Sequence, residues 1–164
     1  MSGTHREQST PLAFIIHFKK RLVDMFRQEW SFRLSESTRA RFFRFIIYKH
    51  GFCDFLDKVN VKCHRIALTR LIASSHHLRV ETGRWESPTK LPLSERLCDN
   101  CNKLGDEYHF LFECELFENL RNRLIPRYYR ARPSMSKCVE LLTSTNKKTL
   151  RNLAKYVWLA FKHY

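Results

Sequence analysis

The sequence predicts a small, mainly α-helical domain. The chain has 164 residues, of which 43% are hydrophobic and 13% aromatic, and this is enough apolar material for one core. Its 4 glycines and 5 prolines are too few for the tight turns that sandwiches and barrels need at every strand end. In several segments the apolar residues recur at helical spacing. We expect residues 1–9 to be a flexible leader and residues 10–164 to form a single helical domain.

The first predicted helix begins at Pro11, a residue suited to the first helical position, with Ser9 or Thr10 as its cap. Apolar residues then recur at three- and four-residue steps to about residue 32, which places them on one face of the helix. This apolar stripe consists of Leu12, Ile15, Ile16, Leu22, Val23, Phe26 and Trp30.

The middle of the chain predicts two more helical segments. Polar residues 35–38 break the first helix, and a dense aromatic and basic segment, residues 42–48, follows until Gly51. This mixture is compatible with a nucleic-acid face, although an amphipathic core helix with solvated charges is the simpler explanation. Asn60 is expected to cap the next helix, which extends through Ile72.

Further helices are predicted towards the C-terminus. One carries Phe117 and Leu124 and is interrupted by Pro126, because proline cannot donate the next helical hydrogen bond. Residues 135–142 form a short helix, and a final helix is capped within residues 144–146. The apolar face of that final helix consists of Leu150, Leu153, Ala154, Val157, Trp158 and Phe161.

The charge of the chain favours an anionic partner. Thirty Lys and Arg against 16 Asp and Glu give a formal charge of +14, and RNA or DNA is the first partner to consider. The basic residues are spread along every segment, so a membrane surface is less favoured. The apolar run at residues 12–18 is shorter than the roughly 20 residues of a membrane span. No secretory signal is recognised, so we expect a nucleus or cytoplasm location with reduced thiols.

A cluster of cysteines and one histidine, within residues 95–125, predicts a metal site. The spacing is Cys98-x2-Cys101-x7-His109-x4-Cys114, and two cysteines three residues apart can direct both sulfurs inward from a tight knuckle. Zinc suits three thiolates and one imidazole, and four protein ligands leave no position for an activated water, so the expected site is structural. Unligated core thiols with a satisfied histidine are the alternative. The remaining cysteines, predicted to be buried apolar thiols, are Cys53, Cys63 and Cys138.

The spacing of the last two ligands predicts a distorted helix. Asp106 can cap a helix that begins just before His109. Cys114 follows five residues later, about 140° around an ideal helix, so a continuous helix would not present both ligands. The helix should therefore end or distort near Cys114, and a second helix should begin at Leu116 or Phe117.

The motifs around this cluster resemble a known family. A helix with R-x-ALT, a turn with SSH-x-L, a stretch with E-x-GRW, then R-x-C-x-x-C and DE-x-HF-x-F-x-C occur in that order. Over roughly residues 30–164 the chain resembles the C-terminal zinc-binding region of non-LTR retrotransposon reverse transcriptases. The resemblance implies that Cys98, Cys101, His109 and Cys114 bind zinc in a CCHC site, and that the module helps a polymerase handle RNA or DNA. Glu115 stands where many relatives have proline.

We therefore expect a non-catalytic, zinc-stabilised nucleic-acid-binding module. The chain is not expected to be an enzyme, because it shows neither the Asp-Asp dyad of a reverse transcriptase nor an acidic set with endonuclease spacing. Arg79, Arg84 and Arg96 are candidates for phosphate contact, with solvated surface charge as the alternative. Two other hypotheses remain: a scaffold that docks on a polymerase or another protein through its first helix, and a decayed element fragment without a selected role.

Overall fold

The computed structural model describes residues 11–46, 51 and 53–163, and it is mainly helical. Within these ranges there is no β-strand, and strand-like pairing is limited to an isolated antiparallel bridge between Leu97 and Leu104. No helix in this part of the chain combines the length and apolar character that crossing a membrane requires. The mainly helical fold class is therefore confirmed.

The chain divides into two compact units, Met1–Ser37 and Thr38–Tyr164. The prediction that residues 10–164 form one domain stays a prediction. Several predicted features lie outside the described residues, namely the leader at 1–9, the caps Ser9 and Thr10, and residues 47–48 of the aromatic segment.

The first unit contains one long helix, α1 (Pro11–Glu36). It continues four residues beyond the expected end at residue 32, whereas its predicted cap lies outside the described residues. Arg33 Nε pairs with Glu29 one turn earlier, which supports this last part of the helix. The helix buries none of its side chains, and the apolar residues Leu12 and Ile16 are 66% and 57% exposed.

The second unit begins with short helices around one longer helix. They are α2 (Phe43–Ile46), α3 (Phe55–Lys58), α4 (Lys62–Ile72) and α5 (Arg79–Thr82). The prediction that Asn60 caps α4 is wrong: Val61 holds the cap position, and no side chain caps the helix there. The oxygen of the Asn60 side chain instead accepts a hydrogen bond of 3.0 Å from Arg151. The hydrogen bond from Arg151 occupies the side-chain oxygen of Asn60 that would otherwise cap α4.

The rest of the unit follows an irregular segment that carries the cysteines. Its helices are α6 (Glu118–Leu124), α7 (Arg127–Arg130), α8 (Met135–Leu142) and α9 (Lys147–Phe161). The predicted bounds of α8 are confirmed, and the hydroxyl of Ser134 caps this helix by accepting from the amide of Lys137. The predicted cap of α9 is confirmed as Asn146, whose side chain accepts from the amides of Lys148 and Thr149 at 2.9 and 3.2 Å.

The core of the second unit is built where α9 packs against α4. The buried residues of α4 and α9 are Ala67, Leu68, Leu71, Ile72, Leu150, Leu153, Ala154, Tyr156, Val157 and Ala160. Each large apolar side chain buried in this way contributes about 1.5–3 kcal/mol.

The three cysteines outside the cluster differ in their exposure: Cys138 is buried as predicted, Cys53 is half-buried, and Cys63 is exposed. The prediction of a buried thiol is therefore wrong for Cys63, because it lies with Lys62 on the solvent-facing side of α4.

Candidate metal centre

Four side chains from one short segment of the second unit meet at one point. One ligand atom from each of Cys98, Cys101, His109 and Cys114 lies within 4.8 Å of the others. The sulfur of Cys114 is 4.0 Å from that of Cys98 and 3.8 Å from that of Cys101. These distances are far too long for disulfides, whose sulfurs are about 2.05 Å apart. The cluster is close enough to hold a metal ion.

The geometry is compatible with a tetrahedral zinc shell. Sulfurs bound at about 2.3 Å to one tetrahedral ion lie about 3.8 Å apart, close to the two distances observed. Cys98, His109 and Cys114 are at most 3% exposed, whereas Cys101 is half-buried. Neither ring nitrogen of the buried His109 makes a hydrogen bond within the described residues, and Nδ1 lies 3.5 Å from a carboxylate oxygen of Glu113. A cation between the three sulfurs would give this imidazole a ligand.

The first two ligands lie on a tight knuckle closed by backbone hydrogen bonds. The amide of Cys98 donates to the carbonyl of Lys103 at 2.7 Å, and the amide of Asn102 donates to the carbonyl of Cys98 at 2.9 Å. Asn102 has a φ of 52°, a left-handed conformation that asparagine tolerates better than most residues. These bonds fold the chain back after Cys101, so both thiols point to the same side.

Gly105 fixes the knuckle against α5. Its amide donates to the carbonyl of Arg96 at 2.9 Å, and its carbonyl accepts from the amide of Val80 at 3.0 Å. A Cβ at this position would lie 2.8 Å from the Cβ of Arg79 and 3.2 Å from the nitrogen of Cys98. Only glycine permits this close approach without a shift of the backbone.

The last two ligands lie at either end of a single π-helical turn, His109–Glu113. The carboxylate of Asp106 accepts from the amide of His109 at 2.8 Å, which confirms the predicted cap. The amide of Cys114 donates to the carbonyl of His109 at 2.8 Å, five residues back in sequence. This wider turn brings Cys114 beneath His109, so the predicted distortion is confirmed. A 3₁₀ turn, Glu115–Phe117, then leads into α6, close to the predicted start of the second helix.

A buried arginine holds the end of the π-helical turn. Arg121 on α6 is only 6% exposed, and its guanidinium donates to the carbonyls of Leu111 and Cys114. These carbonyls end a turn whose helix does not continue, so they need external donors. Tyr156 on α9 supplies another donor, from its hydroxyl to the carbonyl of Phe110 at 2.7 Å. Neither residue was expected from the sequence, because each donates to a backbone carbonyl and every residue has one.

Two thiols of the cluster, those of Cys101 and Cys114, have shifted pKa values. Burial raises the pKa of Cys114 to about 12, so this thiol stays neutral unless a cation is close. Burial also raises the pKa of Cys101, but hydrogen bonds from the amide of Glu115, from Asn100 and from the neighbouring thiols outweigh it. The pKa of Cys101 is therefore lowered overall. A divalent cation would favour the thiolate at each cysteine and reverse the effect of burial on Cys114.

The three arginines that flank the knuckle are engaged within the chain. Arg84 donates to the carbonyl of Thr38 at 2.6 Å and pairs with Glu81, and Arg79 lies 3.4 Å from Glu86. Arg96 donates to the carbonyls of Leu91 and Val80 at 2.8–3.0 Å. Their role as phosphate contacts stays a prediction. The structure gives each of them a role in holding the segments around the knuckle.

A buried polar network lies next to the ligand segment. Glu107 is 5% exposed and accepts hydrogen bonds from Ser74 at 2.8 Å and from Nε2 of His76 at 3.0 Å. The amide of Leu78 donates to Nδ1 of His76, which leaves Nε2 as the protonated nitrogen. Burial raises the pKa of Glu107, but the bonds from His76 and Ser74 outweigh it, so the pKa is lowered. The network ties the loop after α4 to the metal-site segment.

Comparisons with known proteins identify no relative. No protein-family model, no curated protein and no solved structure matches the chain.

Proposed function

We propose that the chain is a zinc-stabilised, non-catalytic nucleic-acid-binding module of the kind that the resemblance to retrotransposon reverse transcriptases indicates. The observation that carries the proposal is the convergence of four ligand atoms within 4.8 Å in a chain with a charge of +14. A set of three sulfurs and one imidazole selects zinc over harder cations such as magnesium, which prefer oxygen. Four protein ligands complete a tetrahedral shell, so the metal acts structurally.

The metal part of the proposal is tested by zinc analysis of the purified protein. We expect one zinc per chain, lost or strongly reduced in Cys98→Ser and retained in Cys63→Ser, whose exposed thiol lies outside the cluster. Such a site contributes on the order of 10 kcal/mol, comparable with the stability of a whole domain, so a chelator should unfold the segment around it. Zinc binding that is equal in both variants would contradict the CCHC assignment.

Nucleic-acid binding is supported by the excess of 30 Lys and Arg over 16 Asp and Glu. Affinity that comes mainly from phosphate contacts falls steeply with salt, because each contact releases counterions. We expect the zinc-loaded protein to bind single-stranded RNA at low salt and to release it at moderate salt. Absence of binding at low salt would remove this function.

A scaffold that docks on another protein is the second candidate. It is favoured by α1, which buries none of its side chains although Leu22 and Val23 lie on its apolar stripe. Monomeric proteins rarely expose a continuous apolar surface of this kind. A partner protein that binds the full chain but is lost with Leu22→Glu and Val23→Glu would support docking. Equal recovery of the partner with the unchanged chain and with the double variant would contradict docking through α1.

A further inference from the structure

Two packed helices of the second unit carry positive charge without any acidic residue. The sequences of α4 and α9, KCHRIALTRLI and KKTLRNLAKYVWLAF, contain seven Lys and Arg and no Asp or Glu. Their apolar sides pack together in the core, so the charged residues gather on the sides that face away. A surface of this composition attracts a polyanion.

Two of these cations, Arg151 and Lys155, lie in line with Lys162, the residue that ends α9, and we call the three the α9 stripe. They are spaced four and seven residues apart, and Lys162 keeps a helical backbone conformation, so they share a face over about 16 Å along the helix axis. All three side chains are exposed.

The two ends of the α9 stripe are held in place by neighbours. Arg151 donates to the carbonyl of Lys58 at 3.1 Å and to Asn60 at 3.0 Å. The ammonium of Lys162 lies 3.9 Å from the centre of the Trp158 ring. Cations that are already ordered lose less conformational entropy when they bind a ligand.

A hollow of about 270 Å³ opens beside the stripe, and Arg151 and Lys155 form part of its lining together with residues 59–61, His64 and Asn152. Its wall includes the 49% exposed side chain of Val61 and the amides of Asn60 and Asn152. Apolar contact together with side-chain amides suits the face and edge of a nucleobase. Only a single strand presents unstacked bases next to its phosphates, so the hollow favours single-stranded over duplex nucleic acid.

We propose that the α9 stripe binds the phosphates of a single-stranded nucleic acid and that the hollow receives one of its bases. The proposal rests on the nucleic-acid function proposed above and assigns it a surface. Arg79, Arg84 and Arg96 are not part of the α9 stripe, and their role as phosphate contacts stays a prediction.

The test is the salt dependence of binding to a fluorescein-labelled oligouridylate, measured by anisotropy with the zinc-loaded full chain between about 50 and 200 mM salt. Changing Arg151, Lys155 and Lys162 to Gln should reduce the slope of log affinity against log salt by about two, because each single-strand contact contributes about 0.7. The matched control changes Lys19, Lys20 and Arg21 to Gln, which removes the same charge and residue types from exposed positions on α1.

Further variants separate the surface from folding and the hollow from the stripe. Lys155→Glu with Lys162→Glu leaves the bonds of Arg151 intact and should still abolish binding at about 50 mM salt, where the unchanged protein binds, whereas Lys19→Glu with Lys20→Glu should weaken binding much less. Asn152→Ala should lower affinity severalfold without a change in the salt slope.

The outcomes distinguish this proposal from the proposed function. If the unchanged protein binds no oligouridylate at the lowest salt, both fail. If it binds but the stripe variants match their α1 controls, the surface is wrong and nucleic-acid binding stands. Equal affinity for a duplex of the same length, or for phosphatidylserine vesicles, would also overturn the assignment to a single strand.

Discussion

Replacement of Arg121 by methionine should destabilise the second unit and weaken the metal site together. The change keeps a side chain of similar length but removes the donors to the carbonyls of Leu111 and Cys114. Two charge-assisted hydrogen bonds contribute about 1.5–3 kcal/mol each, and part of this is offset because a buried guanidinium no longer has to lose its hydration. We therefore expect the free energy of unfolding to fall by about 2–4 kcal/mol.

The same substitution should also weaken the proposed zinc binding. It removes the hydrogen bond to the carbonyl of Cys114, and Cys114 is one of the four candidate ligands. Loss of a group that orients a ligand typically lowers metal affinity about 10–100-fold. Thermal unfolding of the zinc-loaded protein should show a melting temperature about 5–15 °C lower. Competition with a chromophoric chelator should show the weaker binding.

Arg123→Met is the matched control for this prediction. Arg123 lies on α6, two residues from Arg121, but its side chain is exposed. The control should therefore change the melting temperature by no more than about 2 °C, as surface substitutions generally do. If Arg121→Met were as stable as the control and bound zinc as tightly, the assigned role of Arg121 would be refuted.

Two further changes test the packing of the knuckle and the charge on α4. Gly105→Ala should cost about 1–3 kcal/mol, because its Cβ would lie 2.8 Å from that of Arg79; Gly51→Ala, with nothing within 4 Å, should be nearly neutral in urea unfolding. Burial and the charge of Lys155 lower the pKa of His64 from its ordinary value of 6.5. Around that pH the unfolded state binds more protons than the folded state, so the free energy of unfolding falls as the pH drops. The His64→Asn variant should lose less stability than the unchanged protein between pH 7.5 and 5.5, and an equal loss would contradict the lowered pKa of His64.

Local patterns in the sequence were sufficient to predict the long elements. The bounds of α8 and the start of α9 followed from Ser134 and Asn146, because a capping side chain acts on amides only two or three residues away. The four-residue helix α5 was not predicted, since so short an element has no periodicity to detect.

In the candidate site, too, the sequence predicted the features that depend on residues close together in the chain and missed those that depend on distant ones. The ligand set and the cap by Asp106 were predicted from spacing within one short segment. Arg121 and Tyr156 were missed, because each donates to a backbone carbonyl, and carbonyls carry no sequence signal. Asn60 was misassigned because its capping atom binds Arg151, which lies 91 positions further along the chain.

The π-helical turn would couple binding of the proposed metal ion to local folding. With four residues between His109 and Cys114, an α-helix would turn the two ligands about 140° apart. The wider turn brings them together, but π-helical turns are rare and need support, here from Asp106 at the start and Arg121 at the end. A cation bound to both ligands favours the wide turn over the α-helical alternative. By linkage, every contact that stabilises the wide turn without metal also raises the affinity for the cation.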